Sequence, residues 1–275
     1  MQPKPRKQLD RPNFYGVFGL TANPLRLVFM MGAVWRLAQN LATDKVQILE
    51  IGSWCGASAL AWGEAIQLYF GGNGKISCVD AWQPYVDLEV DADDNNRRMD
   101  AALRNDEPFD IFRQNIQFLP ATVEIEILRG WSQDILPALP DAHYDLVYID
   151  GDHTYAGVLS DINNSTGLLR DGGILCGDDL EMQAHQCDLS VLDAQPNVDR
   201  YYDQHLDAHY HPGVTKAVAE TFGAVSAWSG FWAMEKSGQG WDRVSLKGMP
   251  PRIPGHIPAQ SLLGLKALLM ENDML

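Results

Sequence analysis

Basic residues are scarce in this chain: 21 lysines and arginines stand against 36 aspartates and glutamates, a formal charge of −15 over 275 residues. Such a surface repels phosphate backbones, so nucleic acid is excluded as an expected partner and solubility accounts for most of the charge. Cysteine is sparse as well. Cys55, Cys78, Cys176 and Cys187 form no C-x-x-C pair, and three of them fall in or beside expected core strands or their first turns. A disulfide framework is therefore not expected, and a reducing, cytoplasmic setting is. Long apolar runs are missing: the nearest to a membrane segment, Leu27–Trp35, is far too short and is flanked by Arg26 and Arg36. The basic opening M-Q-P-K-P-R-K leads into no apolar signal core. Also absent is the dinucleotide fingerprint G-x-G-x-x-G, which argues against a dehydrogenase.

The most informative stretch present is Val46–Ala59, V-Q-I-L-E-I-G-S-W-C-G-A-S-A. A continuous apolar run of this kind reads as a buried parallel strand. It enters an acid, Glu50, and then two glycines, Gly52 and Gly56, which let the following turn pass close to a ligand. An acid beside a glycine turn suits a ligand with a cationic end and no phosphate there, which points toward S-adenosylmethionine. Any tight strand-to-helix turn can use two glycines, so the motif needs support from elsewhere.

Apolar residues make up 46 % of the chain, enough for a sizeable core. Residues 1–42 read as a loose tail and a helix over Pro24–Ala42, and 247–275 as a segment with Pro250, Pro251, Pro254 and Pro258 followed by a C-terminal helix. Between them, residues 43–246 alternate strands and helices. Strands are expected at Val46–Ile51, Lys75–Val79, Val123–Leu128, Asp145–Ile149 and Ile174–Cys176, then at Val225–Trp228 and Phe231–Met234, with at least one of the last two antiparallel. The pattern predicts an α/β fold, a mostly parallel sheet with helices on both faces. Gly172 and Gly173 read as the stop of the helix Tyr155–Leu169. Two long segments, about 81–119 and 180–212, break the repeat and are expected to form lids over a site.

Ligands of open α/β sheets sit beyond the carboxyl ends of the strands, and the informative residues fall there. Asp80 ends the second strand, suited to the two hydroxyls of a ribose; the plain alternative is a solvated turn aspartate. Trp131 and Ser132 follow the third strand, either framing an adenine or forming a packed ring beside a helix-capping serine. The fourth strand ends Y-I-D-G-D-H-T-Y and the fifth L-C-G-D-D-L, which brings Asp150, Asp152, Asp178 and Asp179 together. Four unpaired carboxylates are electrostatically costly, so a hard cation such as Mg²⁺ is expected to compensate them, unless they cap helices or fan into solvent. His205, His209 and His211 make H-x-x-x-H-x-H, and His153 lies beside the acids; neither is read as a zinc site.

Taken together, I-L-E-I-G-S-W-C-G-A-S, C-V-D-A-W, Y-D-L-V-Y-I-D-G-D-H-T-Y, G-G-I-L-C-G-D-D and H-P-G-V-T-K-A-V resemble the class I S-adenosylmethionine-dependent methyltransferases. Within them the chain most resembles the metal-dependent small-molecule O-methyltransferases of the macrocin and novobiocin sugar type. The resemblance spans roughly Val46–Lys236 and implies a Rossmann-like, doubly wound sheet of seven strands. It implies that Glu50, Gly52, Ser53 and Gly56 border the methionine part of the cofactor, with Asp150 nearby. Asp80 would hold the ribose, and Trp131 with Ser132 the adenine. Asp150, Asp178 and Asp179 would hold Mg²⁺ or another hard divalent ion, and Asp152 would be the general base. Many relatives carry an acid where this chain has Trp131, and the two insertions match nothing in the family.

The chemistry is coherent on its own terms. A metal lowers the pKa of a hydroxyl and Asp152 takes its proton, which favours a vicinal diol, in a sugar or a catechol, as the small-molecule partner. A metal-dependent nucleotide-sugar glycosyltransferase is the alternative; it leaves the glycine turn and Asp80 unexplained. A non-catalytic binding protein would keep the fold without turnover. The N-terminal helix is read as either a homodimer interface or a cover for the sheet.

Overall fold

A computed structural model describes residues 10–13, 24–41, 43–89, 94–257 and 269–270. In chain order, α1 (Pro24–Asn40) precedes β1 (Val46–Ile51), and α2 (Ala57–Tyr69) leads to β2 (Gly74–Asp80). The helices α3 (Asp94–Arg104) and α4 (Glu107–Asn115) fill the first insertion before β3 (Val123–Arg129). Short α5 (Ser132–Ile135), β4 (Tyr144–Ile149), α6 (Tyr155–Leu168) and β5 (Leu169–Leu180) follow. The second insertion holds α7 (Leu189–Ala194) and a hairpin of β6 (Tyr201–Asp203) and β7 (Ala208–Tyr210). The chain continues with α8 (Pro212–Phe222), β8 (Ser226–Trp228), β9 (Gly230–Ser237) and β10 (Gly240–Arg243).

The main sheet runs β10-β9-β5-β4-β1-β2-β3, with β1 to β5 parallel and β9 and β10 antiparallel. The expected seven-stranded, mostly parallel sheet is this path; β8 adds an eighth strand, paired with β9. All six residues of β1 are buried because both strand edges are paired and both faces are covered. Alternation along the strand divides it between two layers. Ile48 packs with α1 and α2 on one side, and Leu49 with α6 and α8 on the other. Burying each such side chain is worth roughly 1.5–3 kcal/mol.

One expected helix stop is corrected. The helix α6 ends at Leu168 and β5 begins at the next residue, so Gly172 and Gly173 lie inside the strand. They form a bulge where the register against β4 shifts between Tyr144 and Leu146, and Gly172 adopts φ +76°. A second irregularity, between Gly177 and Leu180, displaces Asp178 and Asp179 from the ladder with β9, and Asp179 takes φ +60°. Strand β10 was not anticipated. All of the expected C-terminal helix except residues 269–270 lies outside the described residues.

Candidate active site

The carboxyl ends of the parallel strands open into one cavity of about 840 Å³. Gly52 shapes its first wall. It adopts φ +86°, and a Cβ there would lie 1.9 Å from the Asp150 carbonyl oxygen, so only glycine lets the ends of β1 and β4 approach this closely. Ser53, Trp54 and Cys55 continue the wall. Glu50 and Gly56, expected to border the cofactor, do not face the cavity. Glu50 is fully buried beneath the turn, where it accepts hydrogen bonds from Ser53 Oγ (2.6 Å) and Trp62 Nε1 (3.1 Å). Burial pushes its pKa upward. It shapes the turn from below, and Gly56 (φ +82°) starts α2.

Asp80 lines the cavity and braces two turns. Its carboxylate accepts the backbone N–H of Trp54 (2.8 Å) and of Trp82 (2.6 Å). The Ser53 amide also donates to it, so of about four acceptor positions one is left for a hydroxyl. The first insertion is fastened to the same turn: Trp82 Nε1 donates to the Trp54 carbonyl (2.7 Å) and Asn115 Nδ2 to the Cys55 carbonyl (2.9 Å). Trp131 and Ser132 also reach the cavity. Both insertions contribute wall residues, Tyr85, Met99 and Leu103 from the first and Arg200, His209 and His211 from the second.

The four strand-end aspartates converge, but they do not wait unpaired. Arg26 of α1 reaches them across 152 residues of sequence and binds Asp178 Oδ2 at 2.5 Å, Asp179 Oδ1 at 3.1 Å and Glu181 Oε1 at 3.3 Å. Nothing local in the sequence announces this contact. Tyr148 donates its hydroxyl to Asp150 Oδ2 (3.0 Å) and Asp178 Oδ2 (3.2 Å). His153 lies between two carboxylates, with Nε2 3.0 Å from Asp179 and Nδ1 2.6 Å from Asp199. Burial raises Asp150 well above the usual carboxylate range, helped by repulsion from Asp178. Burial also lifts Asp178, to about 6, with Arg26 opposing. Asp179 is equally buried, yet His153, His211 and Arg26 together outweigh that burial and hold it far below the usual range. Asp152 lines the cavity with both oxygens engaged by Thr154, through its amide (2.9 Å) and hydroxyl (2.7 Å).

The expected metal ligands were Asp150, Asp178 and Asp179. Among the described residues, the ligand atoms that converge within 4.8 Å belong instead to His153, Asp179 and His211. Asp179 is common to both sets, so a cation site fits the donors at that carboxylate. The H-x-x-x-H-x-H motif is divided by the fold: His205 and His209 are exposed, whereas His211 is mostly buried beside Asp179.

Residues 49–180 match the sequence family described as methyltransferase domain. The fold is similar to the O-methyltransferase NovP, with 18 % identity, 78 % of this chain and 80 % of that chain covered, and a TM-score of 0.52. It also aligns with CalS11, a calicheamicin methyltransferase, at 13 % identity, 77 % and 79 % coverage and a TM-score of 0.44. No curated protein sequence matches the chain.

Proposed function

We propose that the protein is an S-adenosylmethionine-dependent O-methyltransferase that acts, with a divalent cation, on a hydroxyl of a small molecule. A sugar or a catechol-like diol is the substrate class. The observation that carries this reading is the meeting, in one cavity, of the glycine turn backed by Asp80 with the carboxylates at the ends of β4 and β5. The methyltransferase-domain match favours it over a nucleotide-sugar glycosyltransferase, which finds no support.

In this reading Gly52 and Ser53 border the methionine part of the cofactor, Asp80 the ribose, and Trp131 with Ser132 the adenine. A sulfonium methyl is already activated, so the protein has to supply alignment and a deprotonated oxygen. A divalent cation at Asp179, when bound, lowers the pKa of a hydroxyl and orients it. Asp152 receives the proton. To do so it gives up the bond from the Thr154 hydroxyl while keeping the one from the Thr154 amide.

Calorimetric titration of S-adenosylhomocysteine into metal-free protein, repeated with Mg²⁺, tests the reading. Micromolar binding is expected, and absence of binding under both conditions overturns it. Asp152→Asn keeps an acceptor for the Thr154 amide but takes no proton. Turnover is expected to fall by about 100-fold or more with cofactor affinity nearly intact; a large loss of cofactor binding would remove Asp152 from the role of base.

A further inference from the structure

Three donors that the sequence scatters meet at the mouth of β5. His153 follows β4, Asp179 ends β5, and His211 precedes α8; their ligand atoms all lie within 4.8 Å of one another. We propose that His153, Asp179 and His211 form a two-histidine, one-carboxylate site for a first-row transition-metal dication. This deepens the proposed function, on which it rests, by assigning the cation a donor set and a chemical class.

One donor pair already stands at a chelating distance, while His211 Nδ1 lies 4.0 Å from the other oxygen, Asp179 Oδ1, and has to close in on the ion. Two donors each about 2.1 Å from a common ion and roughly at right angles are about 3.0 Å apart. His153 Nε2 and Asp179 Oδ2 are 3.0 Å apart. The other nitrogen of that ring, Nδ1, contacts Asp199 Oδ1 at 2.6 Å. An outer carboxylate on the second ring nitrogen fixes the tautomer of a metal-bound histidine and raises its basicity. On the opposite side, Glu181 Oε2 lies 3.0 Å from His211 Nδ1, a further oxygen at the site.

The surroundings are strongly anionic. Asp150, Asp178, Asp179, Glu181 and Asp199 cluster there, with Arg26 as the arginine that neutralises three of them. Arg26 also explains why the ion sits toward the histidines. Its guanidinium bridges Asp178 and Asp179 Oδ1, on the side where an all-aspartate site would need those oxygens, while Asp179 Oδ2 faces His153. Imidazole donors suit Zn²⁺, Fe²⁺ or Ni²⁺, with Co²⁺ as a spectroscopic substitute, whereas Mg²⁺ prefers an all-oxygen octahedron. Three protein donors leave open positions for substrate oxygens, which a diol can fill with both of its hydroxyls.

The test is titration of the full-length, metal-free protein with Co²⁺, Zn²⁺ and Mg²⁺ separately, by calorimetry and by the visible absorption of bound Co²⁺. Expected are a Co²⁺ spectrum, binding of Co²⁺ and Zn²⁺ at least about 100-fold tighter than Mg²⁺, and a loss of about 10-fold or more in His211→Ala and His153→Gln. Asp150→Asn should leave Co²⁺ affinity nearly unchanged. His153 is buried between two acids, so the His211 variant carries the test if His153→Gln misfolds. Equal Mg²⁺ affinity, indifference to His211→Ala, or no binding of any ion overturns the proposal. S-adenosylhomocysteine binding by the same preparation separates the outcomes. If it persists while the metal results fail, the donor set is wrong and the methyltransferase reading stands; if it fails too, both fall.

Discussion

Tryptophan rarely adopts a left-handed backbone, yet Trp54 and Trp82 both do, at φ +43° and +46°. Each follows the end of a strand, and the amides of both are held by the Asp80 carboxylate. One acid thus fixes two strained turns as well as facing the cavity. Gly52 is more tightly constrained. Gly52→Ala places a Cβ against the Asp150 carbonyl at a positive φ, and a loss of about 2 kcal/mol or more is expected in urea unfolding, together with loss of S-adenosylhomocysteine binding. Asp161 is a quieter case. Burial raises its pKa to about 7, opposed by a hydrogen bond from Ser132 and assisted by Asp152. The folded state therefore keeps a proton that the unfolded chain releases near pH 4. Stability falls as pH rises from about 4 to about 7 and then levels off, a penalty on the order of 4 kcal/mol. Asp161→Asn should flatten that slope and raise the urea midpoint at pH 8; an unchanged pH profile would show that Asp161 is not the titrating group.

Among the elements, the parallel strands were the most legible. Buried on both faces, they read as apolar runs, and all five of their ends carry residues that face the cavity: Gly52, Asp80, Trp131, Asp150 and Asp178. Less was visible where chain geometry departs from a repeating unit. Gly172 looked like a helix stop because glycine serves both ends of helices and bulges, and only the register against β4 distinguishes the two. The pairing of Arg26 with Asp178 and the meeting of His153 with His211 were hidden for another reason. Each joins elements far apart in sequence, and no local period records such a contact. The helix α1 supplies that arginine. Arg26→Met leaves a buried carboxylate pair without its guanidinium, and a loss of about 3–5 kcal/mol is expected in urea unfolding at pH 7. A change below about 1 kcal/mol would mean that water or another cation already neutralises the acids.

At the scale of the molecule, the family-matched span, residues 49–180, does not contain the whole site. Arg26 comes before it, and Glu181 and His211 come after it. The helix α1 buries Leu25, Val28, Phe29, Val34 and Leu37 within the chain. No helix among the described residues is long and apolar enough to cross a membrane. A ligand that binds only the folded state stabilises the whole fold, so S-adenosylhomocysteine at 100 times its Kd should add about 2.7 kcal/mol. For a chain of this size that corresponds to a rise of about 5 °C or more in Tm by scanning calorimetry. A flat response would count against binding in the described cavity.

The bonds from Trp82 and Asn115 to the carbonyls of Trp54 and Cys55 reach further than local order. In the proposed methyltransferase they join the first insertion, assigned to the methyl acceptor, to the turn assigned to the methyl donor. Linkage is reciprocal: by whatever factor the donor steadies that segment, the segment strengthens affinity for the donor. A mutation there that admits a different acceptor will therefore alter donor binding in the same step, and selection for new acceptors has to carry both changes at once.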